Sequence, residues 1–415
     1  MSNTSDYLQR LESHPYRRFE EGENRSFERN PDYFAEPIHD GDASVGGVTI
    51  RYLGCNGLYI TDGETNLLVD PYFTRCDVTP NRRSGRHSLI QPNESVVRDS
   101  LEHAGITRAD ALIVTHGHWD HALDIGVVWQ CLQDASRPNE LLVYGSTTAK
   151  NIAVGHGVPA ENCRVVSGYT SQLRKGRFNV SFLRGAHMPY PLGAMNRSLL
   201  GTRATQPVIP PARVDAYAEG TNFALLIAHP TGTILNQGSA NYVSGYYRRL
   251  FSTTSYEYTE TRPRPKVLIL AVGGYNLLHV WSRIPRHFYD EVILPTDPEV
   301  VYLSHWEEFH KDRQTLDKPL KWKSWCYRAL ELLREDDRFG RSMRRGLFNQ
   351  PQEGSPGSII TGSSRSGDLF GQFSTRTPDN VISSCRPPGS PNEEHRDTRP
   401  IKFLPLLDPV RVLPV

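Results

Sequence analysis

The 415 residues include six cysteines, and no two of them stand in a C-x-x-C pair. Cys55, Cys76, Cys131, Cys163, Cys326 and Cys385 are too scattered for a disulfide framework, so reduced thiols are expected. No run of about 18 apolar residues occurs, which argues against a membrane-spanning helix. The opening MSNTSDYLQR lacks the apolar core of a secretory leader, and a cytoplasmic, reducing location is the expectation. An excess of one charge is also missing: 47 Lys and Arg nearly balance 46 Asp and Glu. The chain as a whole therefore offers no electrostatic footprint for nucleic acid, and no such partner is expected. Apolar residues make up only 38%, which predicts that some stretch does not pack at all.

Hydrophobic periodicity shows where packing begins. Residues 1–45 are polar, with aromatics at irregular spacing, and are expected to form an extension that wraps the body. From Val48 the pattern changes: VTIRYLG alternates at period two, and LYITDGETNLLVD predicts two strands around an Asp62-Gly63 turn. A helix is predicted near 95–104, a strand over ALIVT (111–115), a helix through IGVVWQCLQDA and a strand over LLVYG (141–145). A short helix follows Ser146. Further strands are predicted at CRVVSG, RFNVSFLRG, NFALLIAH, GTILNQG, KVLILAV and VVYLSH, and a helix carrying Trp322, Trp325 and Ala329 closes the body. Strand pairs interleaved with helices imply a mixed sheet, or two sheets covered by helices.

After about Arg345 the composition turns to Gly, Ser, Pro and Asn, which cannot bury enough apolar surface to offset ordering entropy. Residues 341–415 are expected to form a flexible tail. Its last stretch, IKFLPLLDPVRVLPV, is apolar again, and whether it docks back on the body or pairs with a partner is left open.

The chemistry concentrates in VTHGHWDHALDIG (114–126), directly behind an apolar strand. Three imidazoles packed together repel one another when protonated, and a bound cation gives them a reason to converge. Imidazole and carboxylate donors suit zinc. The run Thr115-His116-Gly117-His118-Trp119-Asp120-His121 resembles the T-H-x-H-x-D-H hallmark of the metallo-β-lactamase-fold hydrolases. YLGCNGLYITDGETNLLVDPYF, RGAHMPYP and YLSHWEEF extend that resemblance over about residues 48–310. They point to the branch holding ascorbate-phosphate lactonases and a phospholipase D that acts on N-acyl phosphatidylethanolamines.

The resemblance implies an αββα sandwich of two mixed β-sheets flanked by helices, an α/β fold occupying residues 46–340. It also implies one metal held by His116, His118 and His187 and a second by Asp120, His121 and His305. The cofactor would be Zn2+, one or two per chain, with Mn2+ or Fe2+ as alternatives. Asp70 matches the aspartate ending the family's early strand. The family's metal-bridging aspartate is absent, because ILNQGSANY places Ser239 there. A hydroxyl is a poor ligand beside a carboxylate, so the second metal is weakly held, or a water bridges, or one metal suffices. Asp124 is either an orienting partner for an imidazole or a charge at a helix start.

The expected reaction is hydrolysis by metal-activated water, with Asp120 as the catalytic group that orients the water and handles its proton. Trp119, Tyr190, Tyr275 and Trp306 neighbour the motif elements and are expected to bind substrate. A small organic or lipid-like ester, lactone, amide or phosphodiester fits this reading. Two rivals remain: a mononuclear iron dioxygenase on the same fold, and a non-catalytic binding protein with a degenerate metal site. Oligomeric state is left open.

Overall fold

The computed structural model describes residues 34–36, 38, 47–76, 78, 89–133, 140–169, 172–188, 200–251, 264–273, 288–307, 309, 330, 333, 334, 337, 399–405 and 409–413. The chain divides into a first unit, Met1–Asp336 with Arg399–Val415, and a second, Asp337–Thr398. Both large sheets belong to the first. The helix expected around Trp322, Trp325 and Ala329 lies outside the described residues.

The first sheet contains β1 (Val48–Gly54), β2 (Gly57–Thr61) and β3 (Asn66–Val69) as an antiparallel meander. A two-residue ladder of β4 (Leu89–Ile90) with β10 (Ala212–Arg213) stands apart from both large sheets. β5 (Ala111–Ile113), β6 (Val143–Gly145) and β7 (Cys163–Val165) then run parallel to β3. The predicted turn at Asp62-Gly63 forms because the Asp62 carboxylate accepts the Glu64 and Thr65 N–H groups at 3.0 and 2.7 Å, an Asx turn.

Parallel strands need crossovers. These are α1 (Glu94–His103), capped by Asn93, then α2 (Trp119–Ala122) with α3 (Ile125–Leu132), and α4 (Thr147–Gly155), capped by Ser146.

The second sheet contains β8 (Gln172–Lys175), β9 (Phe178–Arg184), β11 (Phe223–His229), β12 (Gly232–Gln237), β13 (Val267–Ala271), β14 (Val300–Ser304) and β15 (Ile401–Phe403). Its order is β15-β14-β13-β12-β11-β9-β8, antiparallel from β8 to β12 and parallel from β12 to β15. Both sheets are thus mixed.

Alternation places the core. Leu67 and Val69 of β3, and Ala111 and Ile113 of β5, bury between the sheets with Phe182, Leu225 and Leu268. Their neighbours Leu68 and Leu112 face the other way, into a second core with Val97, Val128 and Ile152 from the helices. On the second sheet's side, Tyr247 and Leu250 of α5 (Tyr246–Leu250) and Val292 join the first core. The α/β sandwich of two mixed sheets with helices is the expected one.

The end of the expected tail is not tail. Ile401–Phe403 extends the second sheet beside β14, and β16 (Pro409–Leu413) extends the first beside β1. Ile401, Phe403, Val410 and Leu413 are all buried, so docking back removes from water the apolar surface that composition alone left unassigned. Phe34, from the expected N-terminal extension, bridges to Phe403 and is fully buried.

Candidate metal centre

The site forms where strands of both sheets end. His116 and His118 follow β5, His187 follows β9, His305 follows β14 and Asp70 follows β3. A glycine between the first two histidines is required sterically. A Cβ at Gly117 would stand 2.3 Å from the Ala218 carbonyl oxygen, so the loop can press against its neighbour only without a side chain.

Five imidazoles converge. Ring centroids of His116 lie 4.8 Å from His118, 3.9 Å from His121 and 5.2 Å from His187. His118 and His187 are 4.4 Å apart, and His121 and His305 are 5.8 Å apart. One ligand atom from each of His116, His118 and His187 falls within 4.8 Å of the others. The second expected set also gathers around one carboxylate. Asp120 Oδ2 is 3.3 Å from His305 Nε2 and 3.7 Å from His121 Nε2. The structure therefore brings together all six residues that the resemblance implies.

The donors fit a cation. His116 Nε2 is fully buried with no hydrogen-bond partner, a costly state for an imidazole nitrogen unless a metal takes its lone pair. Burial first, then the neighbouring histidines, pushes the His116 and His187 imidazoles well below their ordinary pKa, keeping them in the neutral, ligating form. Burial also lowers His305, against the pull of Asp120. At Asp120 burial opposes ionisation, yet His121 and the His305 hydrogen bond hold the carboxyl well below the usual range. His121 rises despite burial, because Asp120 and Asp70 face it.

Asp70 lies just behind the ligands. Its Oδ2 meets His121 Nδ1 at 2.9 Å and accepts Asn56 Nδ2 at 2.7 Å, while Oδ1 accepts the Thr115 N–H at 2.7 Å. His187 Nδ1 bonds the Met188 carbonyl at 2.7 Å, and Asn241 holds the His187 carbonyl at 2.9 Å. In both rings Nδ1 is engaged, and the His121 Nε2 faces Asp120 Oδ2 at 3.7 Å.

Of the two alternatives for Asp124, the structure favours the charge at a helix start: it stands at the N-cap of α3, and its carboxylate accepts the Phe73 and Thr74 N–H groups at 2.6 and 2.8 Å and the Thr74 hydroxyl at 2.5 Å. It pins the loop after β3. Trp306 is fully buried against Phe34 and Phe403 with its indole N–H on the Leu404 carbonyl. The returning C-terminal strand covers it. Trp119 is likewise buried, in the helix-side core, with its ring 6.1 Å from His118. Tyr190 and Tyr275 lie outside the described residues. Ser239 is buried with its hydroxyl 2.9 Å from Asn222 Nδ2, so this hydroxyl is committed to a protein amide.

A buried network beneath His305 was not anticipated. The Tyr52 hydroxyl accepts the His305 N–H at 2.7 Å and donates to Glu307 Oε2 at 2.5 Å. Glu307 also accepts the Cys55 N–H and pairs with Arg75 at 3.4 Å. Burial opposes charge on Glu307, but Arg75 holds its carboxyl below the usual range. These contacts hold His305 at a positive φ of 60°, a conformation a non-glycine residue keeps only when its surroundings impose it.

No family model matches the chain. A probable L-ascorbate-6-phosphate lactonase of Escherichia fergusonii is 25% identical over 227 residues, covering 52% of this chain and 59% of the relative. The chain thus spans less than two thirds of the length of the curated relatives it matches. The metallo-beta-lactamase fold protein YhfI of Bacillus subtilis aligns at 15% identity and a TM-score of 0.38, covering 63% of this chain and 86% of that one. CmlA, a diiron beta-hydroxylase of Streptomyces venezuelae, aligns at 13% identity and 0.41, covering 70% and 51%. With a T-H-x-H-x-D-H loop whose histidines converge where two mixed sheets end, and with lactonase relatives over half its length, this chain is similar to the metallo-β-lactamase-fold hydrolases.

Proposed function

We propose that this protein is a metal-dependent hydrolase of a small organic or lipid-like substrate carrying an ester, lactone, amide or phosphodiester bond. The observation that carries this reading is the convergence of His116, His118 and His187 on one point, with the buried Nε2 of His116 unpartnered. His116, His118 and His187 would hold one metal, and Asp120, His121 and His305 a second. A zinc-type cation held there would lower the pKa of water toward about 7 and polarise the oxygen under attack.

The chain's own groups do the rest. Asp120, held ionised by His121 and His305, accepts a hydrogen bond from the attacking water and receives its proton at the carboxylate. Asp70 fixes the orientation of the His121 ring. His187 is the one partly exposed member of the set, which supports substrate approach from its side. The lactonase relatives support a small cyclic ester as the first substrate class to try. No helix among the described residues is long and apolar enough to cross a membrane. The six cysteines form no C-x-x-C pair, which supports a reducing, cytoplasmic setting.

Metal analysis of the purified protein, with hydrolysis assays on a panel of lactones, esters and phosphodiesters, tests the reading. Wild type is expected to hold a transition metal and cleave at least one class. His116→Ala is expected to lose the first metal and the activity. Absence of bound metal in wild type, or undiminished hydrolysis in the variant, would overturn it.

A further inference from the structure

The turn between β1 and β2 consists of Cys55 and Asn56, flanked by the paired Gly54 and Gly57. Cys55 has φ +52°, and the first position of a two-residue hairpin turn with positive φ normally selects glycine or asparagine. A cysteine there runs against local preference, and such outliers point to function when the surroundings hold them. Here they do. The Cys55 N–H is bound by Glu307 and its carbonyl lies 3.2 Å from the Tyr52 hydroxyl, and Tyr52 also takes the His305 N–H. Backbone positions 55 and 305 are thus fastened to the same buried pair of side chains.

The side chain completes the case. The Cys55 sulfur and one ligand atom each from Asp120 and His305 lie within 4.8 Å of one another, all three residues being buried. Arg75, buried and unable to lose its proton, donates to the sulfur at 3.2 Å, an arrangement suited to a sulfur that carries negative charge. The other turn residue, Asn56, bonds Asp70, which orients His121. Both residues of the turn therefore serve the same half of the centre.

We propose that Cys55 is a thiolate ligand of the second metal, together with Asp120 and His305. It would supply the negative charge that Ser239, hydrogen-bonded to Asn222, does not provide. The inference rests on the two-metal reading above and adds a ligand from a strand turn far from the histidine loop. A thiolate in the set selects zinc-like borderline metals and disfavours manganese and magnesium.

X-ray absorption of the zinc-loaded full-length protein, together with optical spectra of the cobalt-loaded form, tests this without requiring a variant to fold. A sulfur scatterer at about 2.3 Å is expected, with a sulfur-to-cobalt charge-transfer band in the near ultraviolet. Cys55→Ser is expected to lose both signals and to fall from two metals per chain to one, with the first site still loaded. Two loaded metals with only nitrogen and oxygen scatterers and no charge-transfer band would overturn the thiolate ligand and leave the hydrolase reading standing. A wild-type protein that binds no metal would overturn both.

Discussion

The carboxylate of Asp70 and the imidazole of His121, 51 positions apart in the chain, meet at 2.9 Å with both side chains buried. The contact fixes which ring nitrogen of His121 is turned to Asp120, and Thr115 and Asn56 hold the carboxylate itself in place. Asp70→Asn is therefore expected to weaken metal binding about 10–100-fold while leaving the fold intact. Competition with a chelator measures the affinity and far-ultraviolet circular dichroism the fold. Unchanged affinity would show that Asp70 only supports the loop.

Gly117 sits where a methyl group has no room, with the Ala218 carbonyl oxygen 2.3 Å and Thr148 Cγ2 2.7 Å from the Cβ it lacks. Backbone on one side and a β-branched residue on the other leave little to yield. Gly117→Ala is expected to cost about 1–3 kcal/mol of stability and to loosen the first metal site, since His116 and His118 flank it. Denaturant unfolding and metal content together check both parts.

Arg75 and Glu307 form an ion pair with side chains essentially removed from solvent. Breaking such a pair from one side leaves an uncompensated buried charge, so Arg75→Met is expected to destabilise by about 3–5 kcal/mol. The double change Arg75→Met with Glu307→Gln should recover part of that loss. A double variant no more stable than the single one would show that the pair's charge is not what matters.

His156 is buried against the Tyr217 hydroxyl at 3.0 Å, and burial lowers its pKa from 6.5 to about 4. The unfolded chain therefore takes up the proton first as pH falls. Stability from this group is complete above about pH 6.5, declines as pH falls, and is fully lost near pH 4, a total of about 3 kcal/mol at about 1.4 kcal/mol per unit. Unfolding midpoints at pH 7 and pH 4.5 should differ more in wild type than in His156→Gln. Equal differences would remove His156 as a source of the acid sensitivity.

Contacts that are local in sequence were legible in it. Thr115 to His121 is a strand end followed by a turn, and its seven residues carry four ligands without help from the rest of the chain. The strands were visible for the same reason, because alternation at period two records which face is buried. His187 and His305 were found only through resemblance, since a lone histidine after an apolar strand carries little signal. Trp306 was misassigned because its position beside His305 in sequence says nothing of the C-terminal strand that buries it.

The sequence by itself determined the candidate donor types, their loop and the class of fold, since donor chemistry and hydrophobic period are written locally. Only the tertiary structure decided that residues 401–403 and 409–413 complete both sheets, and that Tyr52, Cys55 and Arg75 meet Glu307 beneath His305. The contacts to Glu307 join residues more than 200 positions apart. Bringing them together is the work of burial across two sheets, which no short-range pattern encodes.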